Sequence, residues 1–156
     1  MNVRRSIATA AAVLGMSALS LGLTSCGFDA PTDMVYDPAA GVSDQEGTVD
    51  ALNAAVVSAA DGSGTLVVSF ANNDQEDDDS LVGVSGEGVQ VGLGGDTGIP
   101  AGGLLTRDDA ELSVTGEAVE PGGFVTLTFT FDRAQSVTMD VPVVAAEGEF
   151  ADVPTS

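Results

Sequence analysis

The stretch that decides the fold is Phe124–Phe131, with the sequence FVTLTFTF. Its apolar side chains alternate with threonines, so Val125, Leu127 and Phe129 share one face of an extended chain and the threonines share the other. Alternation of this kind in β-branched and aromatic residues is typical of a strand with one buried face. The alternation resumes at Val137–Val143 after a short connection, which predicts a β-hairpin.

Similar but shorter patterns precede this hairpin. Thr65–Ala71 alternates apolar and polar residues, and weaker strand patterns occur at Leu81–Val84, Val89–Leu93 and Glu111–Val114. Phe150–Val153 is a candidate for a short strand at the edge of a sheet. Glycine-rich turns separate several of these segments, as expected where short strands follow one another closely.

Residues 50–60 fit two structures. Val49, Leu52 and Val56 would share one face of a helix, and the alanines of this segment favour that conformation. However, the turn sequence Asp61–Gly64 follows at once and leads directly into the next strand, so a hairpin is the simpler interpretation. We therefore favour a strand here and keep the helix as the alternative.

The strand patterns together predict an all-β fold. About seven short strands with Gly-rich turns favour an antiparallel β-sandwich of immunoglobulin-like or cupredoxin-like type. A mixed α/β fold is excluded because the chain offers no second helical segment. We assign this sandwich domain to residues 48–156.

The N-terminus predicts a lipoprotein signal peptide, with an apolar helix, over residues 1–25. Arg4 and Arg5 precede the uncharged run Ile7–Leu23, which is the order found in a secretory signal. The residues LTSC at Leu23–Cys26 resemble the bacterial lipobox, in which small residues precede a cysteine that is acylated and becomes the mature N-terminus. The alternatives are an uncleaved anchor or an ordinary signal peptide with a chance cysteine.

The lipobox resemblance implies a lipid anchor and a cellular location. Cys26 would carry an N-acyl diacylglycerol group, with palmitate as a typical acyl chain, and several acyl chains make a stable membrane anchor. The protein would then sit on the extracytoplasmic face of a bacterial cell membrane. Residues 26–47 contain prolines, glycines and acids without a sustained period, so we predict a lipidated N-terminus followed by a flexible tether.

The chain is strongly acidic. Its 24 Asp and Glu residues stand against four arginines, and its formal net charge is −20. A surface of this kind repels phosphate groups, which excludes nucleic acid as a partner. Mutual repulsion between copies also favours a soluble monomer. We expect a protein partner in the cell envelope to present a basic face.

Composition also excludes several kinds of catalysis. The chain has no His and no Lys, and its one Cys is Cys26. Ser-His, Cys-His and Ser-Lys nucleophile systems therefore cannot be built, and zinc lacks its usual His and Cys ligands. Asp96–Gly98 matches the tripeptide of aspartic proteases, but no second copy exists and a turn is the better interpretation. We predict a protein that is not an enzyme and needs no cofactor apart from the lipid.

One acidic segment, Asn72–Ser80, is a candidate site. Clustered carboxylates are hard oxygen ligands, and calcium accepts such ligands in flexible loops. Asp74, Asp77 and Asp79 are the weak calcium candidates. The segment lacks the central Gly and the terminal Glu of an EF-hand. Its charges would also lie side by side without partners. A solvated loop between strands is the favoured interpretation, and a weak divalent-cation site is the alternative.

A family resemblance spans most of the chain after Cys26. The segments that carry it are DALNAAVV at Asp50–Val57, GTLVV at Gly64–Val68 and the final hairpin, and together with the lipobox they resemble small actinobacterial lipoproteins. That group is distantly similar to periplasmic copper chaperones with a cupredoxin-like sandwich, which bind Cu(I) through His and Met.

The residues that bind copper in those chaperones have no counterparts in this sequence. It has no His, and after Cys26 its methionines are Met34 and Met139 alone. Met139 alternates with core positions of the predicted hairpin, so packing is its expected role. Two thioethers do not make a Cu(I) site. We carry the copper role over to no residue and predict no metal ligands.

Two functional hypotheses follow. The first is a lipid-anchored protein of the cell envelope that binds or scaffolds a partner without catalysis. The alternative is a module that handles a metal ion or a solute, derived from the copper-chaperone type with altered ligands.

Overall fold

The computed structural model describes residues 40–107 and 111–155. Cys26, Met34, the signal helix predicted in residues 1–25 and most of the predicted tether lie outside the described residues. Within the described ranges the chain forms ten strands and a single 3-10 turn at Gly148–Phe150, with no α-helix. The strands in chain order are β1 (Val42–Asp44), β2 (Val49–Ser58), β3 (Ser63–Asn72), β4 (Asp79–Gly86), β5 (Val89–Leu93), β6 (Gly98–Ile99), β7 (Leu104–Arg107), β8 (Leu112–Gly116), β9 (Phe124–Phe131) and β10 (Val137–Ala145).

Seven of the strands close into one sheet. Around the ring the order is β2, β10, β9, β4, β5, β8, β3 and back to β2. Every neighbouring pair in the ring is antiparallel except β2 and β10, which are parallel. A closed ring with an odd number of strands cannot reverse direction at every step, so one parallel pair is unavoidable. The predicted all-β sandwich is confirmed, with this one exception to its antiparallel pairing.

The core lies inside the closed sheet, and the decisive FVTLTFTF segment supplies its centre. β9 spans the predicted residues Phe124–Phe131 and pairs with β10 as the predicted hairpin. Its residues Val125, Leu127, Phe129 and Phe131 are buried. Phe70 of β3 packs edge-to-face against Phe129 and Phe131, with ring centroids 5.3 and 5.5 Å apart. Such aromatic contacts add to the stabilisation that burial provides.

The ambiguous segment at residues 50–60 is a strand, as we favoured. Its helix-like spacing comes from a β-bulge at Asn53, where the register against β3 shifts between Leu52 and Ala55 and φ is 53°. Asn tolerates this left-handed conformation better than most residues. The bulge moves the buried face by one position along β2. The core residues of β2 are Val49 and Ala51 before the bulge, and Ala54 and Val56 after it.

Three strands were not predicted from the sequence. β1 pairs with β2 inside the range that we assigned to the tether, so the sheet begins before the predicted boundary at residue 48. β6 pairs with β4, and β7 pairs with the C-terminal half of β3. Each of the three has four residues or fewer. A segment that short gives too few alternations to be recognised by its period.

The predicted edge strand at Phe150–Val153 is wrong. The structure has the 3-10 turn there, followed by further turns. The segment is held by a side chain instead of a strand ladder, because the Thr65 hydroxyl of β3 donates a hydrogen bond to the carbonyl oxygen of Pro154. Thr65 is fully buried although it faces away from the core.

Candidate functional site

The acidic segment lies at the end of the sheet where β3 and β9 finish and β4 and β10 begin. Residues 73–78 form the acidic loop between β3 and β4, and residues 132–136 form the connection between β9 and β10. A pocket of about 150 Å³ separates the two. It is lined by Thr48, Asn72, Asp74, Asp77, Asp78, Asp79, Arg133 and Ala134.

Asn72 and Asp74 fix the shape of the acidic loop. The buried Asn72 amide donates to the carbonyl oxygens of Asp77 and Ile99, at 2.9 and 3.4 Å, and its Oδ1 accepts from the Asp74 N–H at 3.0 Å. Asp74 Oδ1 in turn accepts from the N–H groups of Glu76 and Asp77. These two backbone bonds stabilise the carboxylate and lower the pKa of Asp74 below its ordinary value.

Asp79 joins the acidic loop to the connection between β9 and β10. Its Oδ1 accepts from the N–H groups of Ser80 and Arg133, at 2.7 and 3.1 Å, and its Oδ2 accepts from the Ala134 N–H at 2.8 Å. Only 9% of this residue is exposed. A buried carboxylate needs several donors, and here the backbone supplies all three.

Asp77 and Asp78 also have partners. Asp77 Oδ2 forms an ion pair with Arg133, and this hydrogen-bonded carboxylate raises the pKa of the Arg133 guanidinium above its ordinary value. Asp78 Oδ1 accepts from the Ala101 N–H at 2.9 Å, which ties the acidic loop to the segment before β7. The favoured interpretation of a solvated loop between strands agrees with the structure, in which most of residues 73–78 are exposed, but the expectation that its charges lack partners is wrong. Backbone donors and one arginine satisfy these four acids.

The three calcium candidates do line one pocket, but each carboxylate is engaged elsewhere. Asp74 accepts from its own loop, Asp77 pairs with Arg133 and Asp79 accepts from three N–H groups. Across residues 40–107 and 111–155, no group of three His, Cys, Asp or Glu side chains is arranged to hold a metal ion. The arrangement presents an ordered acidic surface with one cation at its rim.

Sequence reasoning missed the buried residue Arg107. It lies on β7 opposite Val68, which puts it on the core side of the sheet, and only 5% of it is exposed. Its Nη1 pairs with the Glu111 carboxylate and its Nη2 donates to the Gly94 carbonyl at 3.4 Å. The sequence did contain a signal that could have drawn attention to Arg107. Two arginines follow Cys26, and an Arg in so acidic a chain has many carboxylates with which it can pair.

The remaining sequence candidates have simple structural roles. Met139 is half-buried against the core, as its alternation predicted. In the Asp96–Gly98 tripeptide, Asp96 Oδ1 accepts from the Gly98 N–H, which closes a turn before β6. A search of the described residues for a helix long and apolar enough to cross a membrane finds none.

Solved structures with a similar fold are PCuAC domains. A copper-bound PCuAC domain from PmoF2 has a TM-score of 0.55 and 21% identity, covering 67% of this chain and 98% of that one. An apo PCuAC domain from PmoF1 has a TM-score of 0.55 and 18% identity, covering 67% and 99%. The apo PmoF2 domain has a TM-score of 0.50 and 19% identity, covering 65% and 93%. No protein-family model matches the chain, and no curated protein does.

At these identities the likeness establishes the fold. The described domain has the β-sandwich architecture of PCuAC domains, and the distant similarity to copper chaperones inferred from the sequence is supported to that extent. This likeness carries no information about the ordered acidic loop or the buried Arg107.

Proposed function

We propose that this protein is a lipid-anchored, non-enzymatic binding module of the cell envelope, and that its acidic end recognises a basic partner. The observation that carries the proposal is the ordering of residues 72–79. Asp74 and Asp79 are held by backbone N–H groups, and Asp77 by Arg133. Because these carboxylates are fixed before any partner arrives, little conformational entropy is lost on binding.

The electrostatics of the whole chain favour the same class of partner. A net charge of −20 attracts basic proteins over a distance and raises their association rate, most strongly at low salt. Glu76 and Asp78 are exposed at the tip of the acidic loop and are available to an incoming Lys or Arg. A non-enzymatic role agrees with a sequence that lacks His and Lys.

Two variants with equal charge test the acidic end. One carries Glu76→Gln and Asp78→Asn in the acidic loop, and its matched control carries Glu117→Gln and Glu120→Gln, which lie between β8 and β9. We expect a basic envelope protein to be retained by the wild type and by the control, and lost with the loop variant at about 150 mM salt. Equal losses from the two variants would indicate net charge alone and would refute a specific site.

The lipid anchor is tested separately at Cys26. The chain expressed in a bacterium with an alkyne analogue of palmitate should incorporate the label and remain with the membrane fraction. Cys26→Ala should abolish the label and release the protein, whereas Ser25→Ala, which keeps a small residue beside the cysteine, should change neither. A Cys26→Ala variant that stays in the membrane fraction would refute the anchor.

A metal-handling role is the second candidate, and the fold of the PCuAC neighbours favours it. Met139 is the one described residue with a soft ligand atom, and it is half-buried on β10. We expect no Cu(I) transfer from a colorimetric chelator and no thermal stabilisation by millimolar Ca²⁺. Stoichiometric copper retained after purification and dialysis would favour metal handling over partner binding.

A further inference from the structure

We propose that Phe124 and Asp140, on the outward face of the β9–β10 hairpin, bind an arginine side chain of the basic partner. This inference rests on the proposed function, because it takes the basic partner from there and adds a second place of contact. The site lies at the end of β9 that is remote from the acidic loop.

Phe124 interrupts the pattern of the outward face of β9. The residues of β9 that face the core are buried, and the other outward positions carry threonines. Phe124 stands where the alternation calls for a fourth threonine, and 64% of it is exposed, more than for any other large apolar residue of the described chain. An exposed side chain gains little from burial, so packing does not account for a ring at this position.

Asp140 lies next to Phe124 on the same face. In the ladder, Phe124 is opposite Pro142 and Thr126 is opposite Asp140, so Phe124 and Asp140 are diagonal neighbours. The Cβ atoms of such neighbours are about 7 Å apart, a gap that one long side chain can bridge. The Thr126 hydroxyl donates to Asp140 Oδ1 at 2.6 Å and orients the carboxylate. Among the described residues no other group hydrogen-bonds to the exposed Asp140, which leaves Oδ2 as a free acceptor.

A guanidinium group suits this pair of side chains. The face of an aromatic ring carries negative partial charge and attracts a cation that lies over it, most often that of arginine. The guanidinium is planar, so it can stack on the ring of Phe124 while its edge donates N–H bonds to the Asp140 carboxylate. An ammonium group is compact and strongly hydrated, so lysine fits the pair less well.

The described arginines of this chain are engaged elsewhere. Arg107 is buried in an ion pair, and Arg133 pairs with Asp77 at the other end of β9. The remaining two, Arg4 and Arg5, belong to the predicted signal peptide, and the sequence contains no Lys. A chain with a net charge of −20 attracts basic proteins, so charge complementarity selects a partner that presents arginine.

The arginine site is separate from the acidic loop. β9 runs from Phe124 to Phe131, over about 23 Å at the usual rise of a strand, and the acidic loop adjoins its far end. This distance is more than twice the Debye length of about 8 Å at physiological salt, so a charge change at one place has little effect at the other. A partner that reaches both places gains from both contacts.

Ring variants test the contact with Phe124. The probe is a capped peptide of about five residues in which arginine alternates with glycine, titrated into the full-length protein at about 150 mM salt, with affinity read from the NMR amide signal of Thr126. We expect Phe124→Tyr to bind the probe as the wild type does. Phe124→Leu should bind it about two- to fivefold more weakly, because the ring is lost while an apolar side chain remains. Equal binding by Phe124→Leu would show that the position serves an apolar contact, such as one with a membrane, and would overturn the inference.

Matched charge variants test Asp140. Asp140→Asn keeps an acceptor for Thr126 but removes the charge, and it should weaken the probe about two- to fivefold. Asp152→Asn removes the same charge from the turn segment that Thr65 holds against β3, and it should change affinity by less than about 1.5-fold. The same peptide with lysine in place of arginine should bind the wild type about two- to fivefold more weakly. Equal effects of the two variants, or equal affinity of the two peptides, would refute a site for arginine.

The loop variant separates this inference from the proposed function. Glu76→Gln with Asp78→Asn should leave the affinity read at Thr126 unchanged, because the acidic loop is remote from Phe124. If that variant abolishes capture of a basic envelope protein while the probe ignores Phe124 and Asp140, the proposed function stands and the arginine site is wrong. If the probe binds as expected while the loop variant captures as much partner as its matched control, the arginine site stands and the acidic end is not the place of recognition.

Discussion

The two ends of the sandwich are both acidic, yet they are built differently. At one end, Asp74 and Asp79 are bound to backbone N–H groups and Asp77 is bound to Arg133. At the other end, the turns after β2 and β8 surround an open cleft of about 530 Å³. Its lining residues are Asp61, Gly62, Gly116, Glu117 and Glu120. Asp61 there accepts from Ser63, whereas Glu117 and Glu120 are exposed to solvent.

The difference shows that acidic residues serve two purposes in this protein. Asp77, Asp78 and Asp79 hold neighbouring connections together at the end of the sheet where β3 and β9 finish and β4 and β10 begin. The exposed glutamates at the other end contribute charge and solubility and little else. Composition counts both groups alike, so only the contacts distinguish a structural carboxylate from a solvated one.

Asp79→Ala should produce the largest difference between the two ends. It leaves the N–H groups of Ser80, Arg133 and Ala134 without an acceptor, and we expect a loss of about 3 kcal/mol in the free energy of unfolding. Glu120→Ala at the opposite end should stay within about 0.5 kcal/mol of the wild type. Urea unfolding followed by circular dichroism measures both. Similar losses from the two variants would contradict the contrast between the ends.

Arg133→Gln should have a smaller effect. The ion pair with Asp77 is solvent-exposed, with 53% of the Arg133 side chain and 51% of the Asp77 side chain accessible. Exposed pairs of this kind contribute at most about 1 kcal/mol and are weakened by salt. The backbone N–H of residue 133 still reaches Asp79 in the variant, so the connection between β9 and β10 should keep its shape. A loss of unfolding free energy that does not depend on salt up to about 1 M would show that Arg133 acts through packing instead.

The smallest expected effect is a change in a carboxyl pKa, and it compares Asp61 at one end with Asp74 at the other. The pKa of Asp61 is lowered chiefly by the Ser63 hydroxyl, and the pKa of Asp74 by the backbone N–H groups of Glu76 and Asp77. Each carboxylate therefore favours the folded state at pH values above its ordinary pKa near 3.8, and this contribution is lost as the pH falls through the lowered value. Ser63→Ala should raise the pKa of Asp61 and leave that of Asp74 unchanged, as carboxyl-carbon NMR titration can measure.

Much of the fold was predictable because its long strands carry a clear period. β9, β10 and the second half of β3 alternate in the sequence as they do in the structure, since one face of each is buried. β2 was harder, because the Asn53 bulge shifts its buried face and imitates a helical spacing. β1, β6 and β7 were missed because each has four residues or fewer, too few alternations to show a period.

The candidate site was predictable only in its composition. The sequence indicates a cluster of acids at Asn72–Ser80, but it does not show which backbone N–H groups lie within reach. Two of the three donors to Asp79, the N–H groups of Arg133 and Ala134, come from residues more than 50 positions away, and Ala101 reaches Asp78 from another part of the chain. Long-range contacts of this kind are decided by topology, which periodicity does not report.

The parallel pairing of β2 with β10 has a consequence for folding. It joins the first long strand of the domain to β10, so the ring stays open until β10 has been synthesised. Until then, β2 lacks its β10 partner at residues 56–58, and an unpaired strand edge invites association with other chains. Contacts between such distant segments also slow folding. Like charges repel, so the dense negative charge of the sequence opposes such association between unfinished copies, before the native state exists.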